Sequence, residues 1–570
     1  MSKVCLTITK SELEKHNSES AGYWLLIEGQ VYDVSKFLDD HPGGAKILKN
    51  WSGKDATEKF WAFHNQTVLD KVAKKFLKGM IEGAEPASAA PAQASTSLDD
   101  EDCAAFITKV DDEDTTYFGD LVPFGDPMWY QDWSSPYFTD SHRKVRSAMR
   151  NYTDKYLTPN AFDWDENKEI PLSAFKHVAR SGILAAIASG RDGWPTEYAG
   201  NLPIPGGLDL SKEKWDAFHN YVTVDELCRC GSGGILYGLI GGFGIGLPPV
   251  KHFGSDELKE RVIPDCLTGE KRICLAITEP EGGSDVANLV TTAEKTADGK
   301  HYIVNGAKKW ITGGIYADYF VTAVRTGGPG MGGISLLVIE RTEGVKTTKM
   351  NCQGVWSSGT TYVAFEDVKV PVENLLGQEN KGFILIMSNF NPERIGIAIQ
   401  CTRFARVCLE ESIKYASKRK TFGVLLRDHP VIRAKLANMA SRIESTQAWM
   451  EALIYQSTQY DADTLTMRGG GPIALLKAHS ADVFAYCAQE ATQIFGGLAY
   501  TRGGQGEKIE RLYREVRAYT IPGGSTEVSF AKCTGAQPGA DWGCLSDLQI
   551  MQDLGIRQSI KIAQIMGAKL

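Results

Sequence analysis

No Cys-x-x-Cys pair occurs among the twelve cysteines, which stand at 5, 103, 228, 230, 266, 274, 352, 401, 408, 487, 533 and 544. Zinc ribbons and thioredoxin-type redox motifs are therefore excluded, and the scattered spacing fits reduced thiols inside a cell. A block of basic residues is also missing. Lysine and arginine total 62 against 70 aspartates and glutamates, a formal net charge of −8. An acidic balance of this kind argues against a nucleic-acid binder. The stretch Met1–His16 has no apolar core, so no signal peptide is expected. No repeat of fixed period is found. Only one window, Gly231–Val250, is strongly apolar, and it carries eight glycines and ends in Pro248-Pro249. A buried helix and loop fits it better than a membrane span.

What is present is ordinary globular composition, 43% hydrophobic and 23% charged, over 570 residues. That length allows roughly three to five structural units. Residues 1–84 read as one unit. Short strand-like runs (YWLLIEG, QVYDVS) precede helix-like ones (AKILKNWS, DATEKFWAF, VLDKVAKKFL). Residues 85–137 read as a linker: Pro86–Ser97 has no charge and no large apolar side chain, and acidic clusters follow at 99–102 and 111–114. The pattern is mostly helical over 138–267, alternates with period 2 and Gly-rich turns over 268–384, and is helical again over 385–540. A tail, 541–570, ends in one short amphipathic helix.

In the first unit, His41-Pro42-Gly43-Gly44 follows Val34-Ser35-Lys36-Phe37-Leu38, and His64 lies 23 residues on. Pro42 fixes the chain direction, and two glycines let the backbone pass close to a flat ligand. Phe37, Leu38, Ile47, Leu48, Phe60, Phe63 and Phe76 are suited to wall a porphyrin. Two axial histidines would fill both open positions of a haem iron and leave single-electron transfer as its chemistry. The segment resembles cytochrome b5 over nearly all of 1–84. The resemblance implies a small α+β domain holding haem b, with His41 and His64 as metal ligands.

The period-2 region opens with Ala276-Ile277-Thr278-Glu279-Pro280-Glu281-Gly282-Gly283-Ser284-Asp285. Such a turn offers N–H and hydroxyl donors to an anionic or carbonyl-rich ligand. Lys309-Trp310-Ile311-Thr312-Gly313-Gly314 follows on a strand end. Later come Arg419-Lys420-Thr421-Phe422-Gly423, Gln493-Ile494-Phe495-Gly496-Gly497 and Ile521-Pro522-Gly523-Gly524-Ser525-Thr526-Glu527. The order of these motifs, and the helix–β–helix layout over about 138–540, resemble the acyl-CoA dehydrogenase family.

That resemblance implies an N-terminal helical domain, a central β domain and a C-terminal helical bundle. It implies a homotetramer or dimer with one FAD per subunit and an acyl-CoA substrate. Flavin contacts are expected from Thr278, Ser284, Trp310 and Thr312. Arg419, Phe422, Gln493 and Gly497 match positions on the pyrophosphate and adenine side, partly across a subunit boundary; Ser525 and Glu527 match the adenosine side. The reaction is α,β-dehydrogenation of an acyl thioester, in which a base takes the α-proton and the β-hydrogen leaves as hydride to the flavin.

Many relatives carry the base as a Glu where this chain has Gly523, which cannot serve; the Asp of nitroalkane-oxidising relatives is missing there too. Some branched- and long-chain relatives place the Glu on an earlier helix, and this chain has Asn391-Pro392-Glu393-Arg394 there. Asn391 reads as an N-cap and Pro392 as the first helical residue, which puts Glu393 in a first turn. A first-turn Glu is also common for dipole reasons alone. The expected catalytic residues are Glu393 as base and Arg394 as orienter of helix or substrate. Glu527, four residues past the vacant position, points elsewhere as a base.

The chain ends Ala568-Lys569-Leu570, one small-residue change from the Ser-Lys-Leu address of peroxisomal import. A peroxisomal location and an import receptor as partner are expected. The leading expectation is thus a haem- and FAD-containing acyl-CoA dehydrogenase, with the b5-like domain as electron acceptor and a further redox partner beyond it. An oxidase that uses oxygen, or a non-catalytic flavin- and haem-bearing interaction protein, are the alternatives.

Overall fold

The computed structural model describes residues 6–41, 44–61, 68–83, 103–109 and 117–525. The chain divides into two compact units: Met1–Thr96 with Phe495–Glu510, and Ser97–Ile494 with Arg511–Leu570.

The first unit is built on a five-stranded sheet of β1 (Leu6–Ile8), β2 (Asn17–Ser18), β3 (Gly22–Ile27), β4 (Gln30–Asp33) and β5 (Leu77–Ile81), in the order β1-β5-β4-β3-β2. Only β1 and β5 run parallel. β3 alternates its side chains across the sheet. Leu25 and Ile27 pack with Tyr32, Val34, Ala56 and Leu69, while Trp24 and Leu26 join Ile8, Leu13 and Val31 on the other face. The unit's α-helices before residue 84 are α1 (Lys10–Lys15), α2 (Ala45–Trp51) and α3 (Thr57–Trp61), followed by a π turn at Val68–Val72 and a 3-10 turn at Ala73–Phe76. The expected strand runs fall on β3 and β4 and the run AKILKNWS on α2; VLDKVAKKFL forms a π turn and a 3-10 turn instead of an α-helix.

The second unit is a helical layer, a β layer and a long-helix bundle. Its sheet comprises β6 (Ile273–Ala276), β7 (Thr292–Lys295), β8 (His301–Ile311), β9 (Tyr319–Arg325), β10 (Ile334–Glu340), β11 (Val345–Lys349), β12 (Thr361–Pro371) and β13 (Leu375–Leu376). The order is β11-β12-β8-β7-β9-β10-β13, with β6 paired to β9. β9 and β10 are buried on both faces except at their last residues, so the expected in–out alternation is lost where helices cover the sheet.

The helices that frame the site are α4 (Asp140–Tyr152), α5 (Ala217–Cys228), α6 (Gly242–Phe253), α7 (Gly382–Ala416), α8 (Pro430–Gln459) and α9 (Ala462–Phe495). Buried charges tie three of them together. Asp126 accepts from Arg150 (3.0 Å), Arg229 (3.2 Å) and Arg403 (2.9 Å), and Glu226 accepts from Arg150 at 2.6 Å. The three arginines pull the Asp126 carboxyl far below the usual range against the opposing effect of burial.

Among the described residues one helical stretch, Gly233–Phe253, is long and apolar enough to cross a membrane, and 67% of its most apolar window is buried inside this unit. It is a core helix here.

Candidate active site

The core helix also touches the site. Its first turn, Gly233–Leu236, is anchored by Glu515, whose carboxylate accepts from the N–H groups of Gly233 (2.7 Å) and Gly234 (3.0 Å). A carboxylate at a helix N-terminus satisfies orphan donors and the positive end of the dipole. Further on, the helix touches both halves of the site. A Cβ on Gly242 would meet the Thr312 carbonyl at 2.9 Å, so α6 lies directly on the end of β8. Asn389 of α7 donates to the Ile245 carbonyl at 3.1 Å. The aromatic Tyr237 packs on Tyr519 at 5.1 Å, whose hydroxyl donates to Gln400 of α7 at 3.0 Å.

Helix α7 carries the expected base, with one correction. Asn391 and Pro392 do not start a helix. The helix begins at Gly382, with Lys381 as N-cap, and runs through Pro392 to Ala416. A proline inside a helix removes one N–H···O bond, and here the buried packing of α7 on α5, α6 and α8 carries the helix across it. Asn391 instead accepts from Arg394 Nη1 at 3.4 Å. Glu393 is therefore mid-helix, and a first-turn dipole plays no part in its chemistry.

Its surroundings decide its character. Oε2 of Glu393 is shut off from solvent and has no hydrogen-bond partner among the described residues. Burial pushes the carboxyl up to about 7, while Arg394 and Lys477 pull the other way. Arg394 is fully buried and donates through Nε to the Gly523 carbonyl at 3.0 Å. Burial lowers its guanidinium to about 10. Lys477 of α9, 1% exposed, donates to the carbonyls of Thr520 (3.2 Å) and Gly524 (2.7 Å). Two cations thus hold the turn at Gly523, the position where many relatives carry their base.

Gly523 has φ +66°, and a Cβ built there would stand 2.9 Å from Ile397 Cδ1. The left-handed backbone and the close methyl both disfavour a side chain at this position. Lys477 escaped the sequence reading. Its one signal was a lone lysine closing the apolar run Pro472–Leu476, a weak local pattern.

On the sheet side, the Thr278 carbonyl accepts from Lys309 N–H at 2.9 Å, which brings the first turn motif to the strand that carries Trp310 and Thr312. Trp310 is 49% exposed with φ +60°, a large aromatic face left open. Beneath the turn sits an ion pair that the sequence reading also missed. Glu279 and Lys308, both buried, meet at 2.7 Å, and Glu279 further accepts from the N–H groups of Val290 (2.6 Å) and Thr291 (3.0 Å). Burial lowers Lys308 to about 8. Ser284 lies exposed in the same turn.

The other expected nucleotide contacts lie apart. Arg419 and Phe422 stand on a two-stranded hairpin, β14 (Lys420–Thr421) and β15 (Val424–Leu425), with Phe422 98% exposed at φ +53°. Gln493 is exposed near the end of α9. Gly497 falls in the first unit, and Ser525 is the last described residue; Glu527 lies outside the described residues.

In the first unit, Nδ1 of His41 lies 3.4 Å from the Gly44 carbonyl. The His41 ring meets Phe37 edge-on at 5.8 Å, and Phe37 packs on Phe76 at 4.9 Å. Phe37, Leu48, Phe60 and Phe76 remain only partly buried against the core, which leaves the apolar surface a porphyrin needs. His64 and Phe63 lie outside the described residues. The residues present fit a haem on this side, and an open tryptophan face beside threonine hydroxyls fits a flavin in the second unit.

Comparison with known proteins agrees. Residues 9–82 match the cytochrome b5-like heme/steroid binding domain. Residues 139–270, 274–368 and 380–533 match the N-terminal, middle and C-terminal domains of acyl-CoA dehydrogenase. The chain is 41% identical over 451 residues to acyl-CoA dehydrogenase apdG of Emericella nidulans, covering 79% of this chain and 98% of that protein. The solved acyl-CoA dehydrogenase of Geobacillus kaustophilus is 28% identical, with a TM-score of 0.62 over 75% of this chain and all of that one. A Bacillus anthracis acyl-CoA dehydrogenase solved with FAD is 26% identical, with a TM-score of 0.61 over 70% of this chain and 66% of that one.

Proposed function

The chain belongs to the acyl-CoA dehydrogenase family and carries a cytochrome b5-like domain at its N-terminus, which imply FAD and haem as cofactors; on that premise we propose that it desaturates an acyl-CoA at Cα–Cβ with Glu393 as the base, and that the haem is its electron outlet. The observation that carries the reading is the buried Oε2 of Glu393, which has no hydrogen-bond partner among the described residues, next in sequence to the arginine that holds Gly523. Such a carboxyl, held near neutrality by burial, can take a weakly acidic proton and give it up again. Arg394 buries its charge against the same turn and keeps α7 and Gly523 in register. FAD, when bound, would supply the hydride acceptor, and Glu393 takes the α-proton.

Thr278, Ser284, Trp310 and Thr312 are the residues we assign to the flavin. Arg419, Phe422, Gln493, Gly497, Ser525 and Glu527 are assigned to the nucleotide end. The exposure of Arg419, Phe422 and Gln493 supports a role completed by a second subunit in a homo-oligomer. Haem held by His41 and His64 supplies a one-electron acceptor, and tethering it to the same chain raises its effective concentration. The Ala568-Lys569-Leu570 ending, outside the described residues, supports peroxisomal import, which a fluorescent fusion with and without these residues tests.

The deciding experiment is an anaerobic visible titration of the holoenzyme with short-, medium- and long-chain saturated acyl-CoAs. Flavin bleaching followed by haem reduction is expected. Bleaching with the haem left oxidised would overturn the outlet, and no bleaching with any chain would overturn the reaction.

A further inference from the structure

A buried lysine is costly unless it is put to use, and Lys477 is 1% exposed in the middle of α9. Its Nζ is spent on the Thr520 and Gly524 carbonyls, at the two ends of the turn that passes Glu393. From the other side Arg394 Nε takes the Gly523 carbonyl between them. The same two cations are the charged groups that act on Glu393. Tyr237 of the core helix also feels Glu393; Tyr237 in turn feels Cys401 of α7 and Glu515, and Tyr519 feels Glu515 as well, with the thiol and both phenols pushed up by burial. Among the described residues no second carboxylate acts directly on Glu393; Asp482 of α9 acts on Lys477.

Resting on the reaction proposed above, we infer that Lys477 is a positioning residue for it: its ammonium locks the Thr520–Gly524 turn and, with Arg394, opposes the burial that disfavours the ionised Glu393 carboxylate. The two duties are separable. A turn whose carbonyls need donors would accept any buried donor. A base that must lose its proton inside an apolar pocket needs a positive charge. The Lys477 ammonium meets both needs below about pH 8, the value to which burial lowers it.

The test uses the holoenzyme carrying Lys477→Met, Lys477→Gln and Lys477→Arg. Gln keeps a donor for the turn and removes the charge; Arg keeps the charge. Two readouts are taken across pH: the rate of anaerobic flavin bleaching by medium-chain acyl-CoA, and the infrared carboxylic-acid band that Glu393→Gln deletes. In Lys477→Gln the ionisation of that band and the rising limb of the rate are expected to move together to higher pH by about one unit, a tenfold slower rate on the acid side. Lys477→Arg should return both towards the parent position. Superimposable profiles in parent and Lys477→Gln would overturn the electrostatic duty. Should Lys477→Met not fold, the Gln and Arg pair decides. Should no acyl-CoA bleach the parent flavin, the reaction itself fails, while the infrared titration still judges Lys477.

Discussion

Arg394 Nε donates to the carbonyl of Gly523 at 3.0 Å, so the residue beside the proposed base holds in place the very position where many relatives keep theirs. The backbone at Gly523 is thus fitted to the base position we propose. Restoring a Glu at 523 asks a non-glycine residue to adopt φ +66° and to displace Ile397 Cδ1. We expect Gly523→Glu to cost about 1–2 kcal/mol from backbone strain alone. We also expect the double variant Glu393→Gln/Gly523→Glu to stay inactive. Thermal melting and flavin bleaching check both; recovered bleaching in the double variant would show the two positions to be interchangeable.

Glu393→Gln should abolish bleaching by substrate while FAD stays bound. It should also stabilise the fold, with a defined sign. The folded carboxyl, at about 7, lies above its ordinary value of 4.5, so the folded state binds the proton more tightly than the unfolded one. Ionising it therefore destabilises the parent progressively as pH rises between those values, and by a constant amount above them. The advantage of the Gln variant should be near zero at acid pH and level off above neutrality, at no more than about 3 kcal/mol. Parent activity should rise with pH through about 7. Melting curves of the pair at several pH values settle the sign.

Lys308→Met leaves Glu279 buried with an uncompensated charge beneath the Thr278 turn. Removing one member of such a pair costs about 3–5 kcal/mol. We expect a lower melting temperature and weaker FAD retention after gel filtration, since the turn and the strand of Trp310 lose their common support. Full FAD retention would place the flavin contacts elsewhere.

For the first unit, His41→Ala and His64→Ala should each erase the visible spectrum of a bis-histidine haem. Acyl-CoA-dependent flavin bleaching should survive both. A haem spectrum unchanged in either variant removes that residue from the iron.

Much of this was legible along the chain because it is written locally. Period-2 runs in β3, β4 and β8 and the helical runs of α2 and α3 are set by which side chains must face a core. His41-Pro42-Gly43-Gly44 and the flavin-side turns stand on contiguous residues. Where the helix carrying Glu393 begins was misread, because Asn391-Pro392 is a good start signal and nothing nearby shows that nine preceding residues pack as helix. Lys477, Glu279 with Lys308, and Glu515 with Gly233 were not legible at all. Each pair joins residues from 29 to 282 positions apart, and a lone charge in an apolar run announces no partner.

The sequence by itself determined the two modules, their order, the cofactors their motifs imply and the vacancy at Gly523. The tertiary structure alone decided the raised proton affinity that suits Glu393 to the role proposed for it. That property belongs to no residue type: it arises from burial that disfavours the ionised carboxylate, opposed by two cations, one 84 residues further along the chain, that favour it.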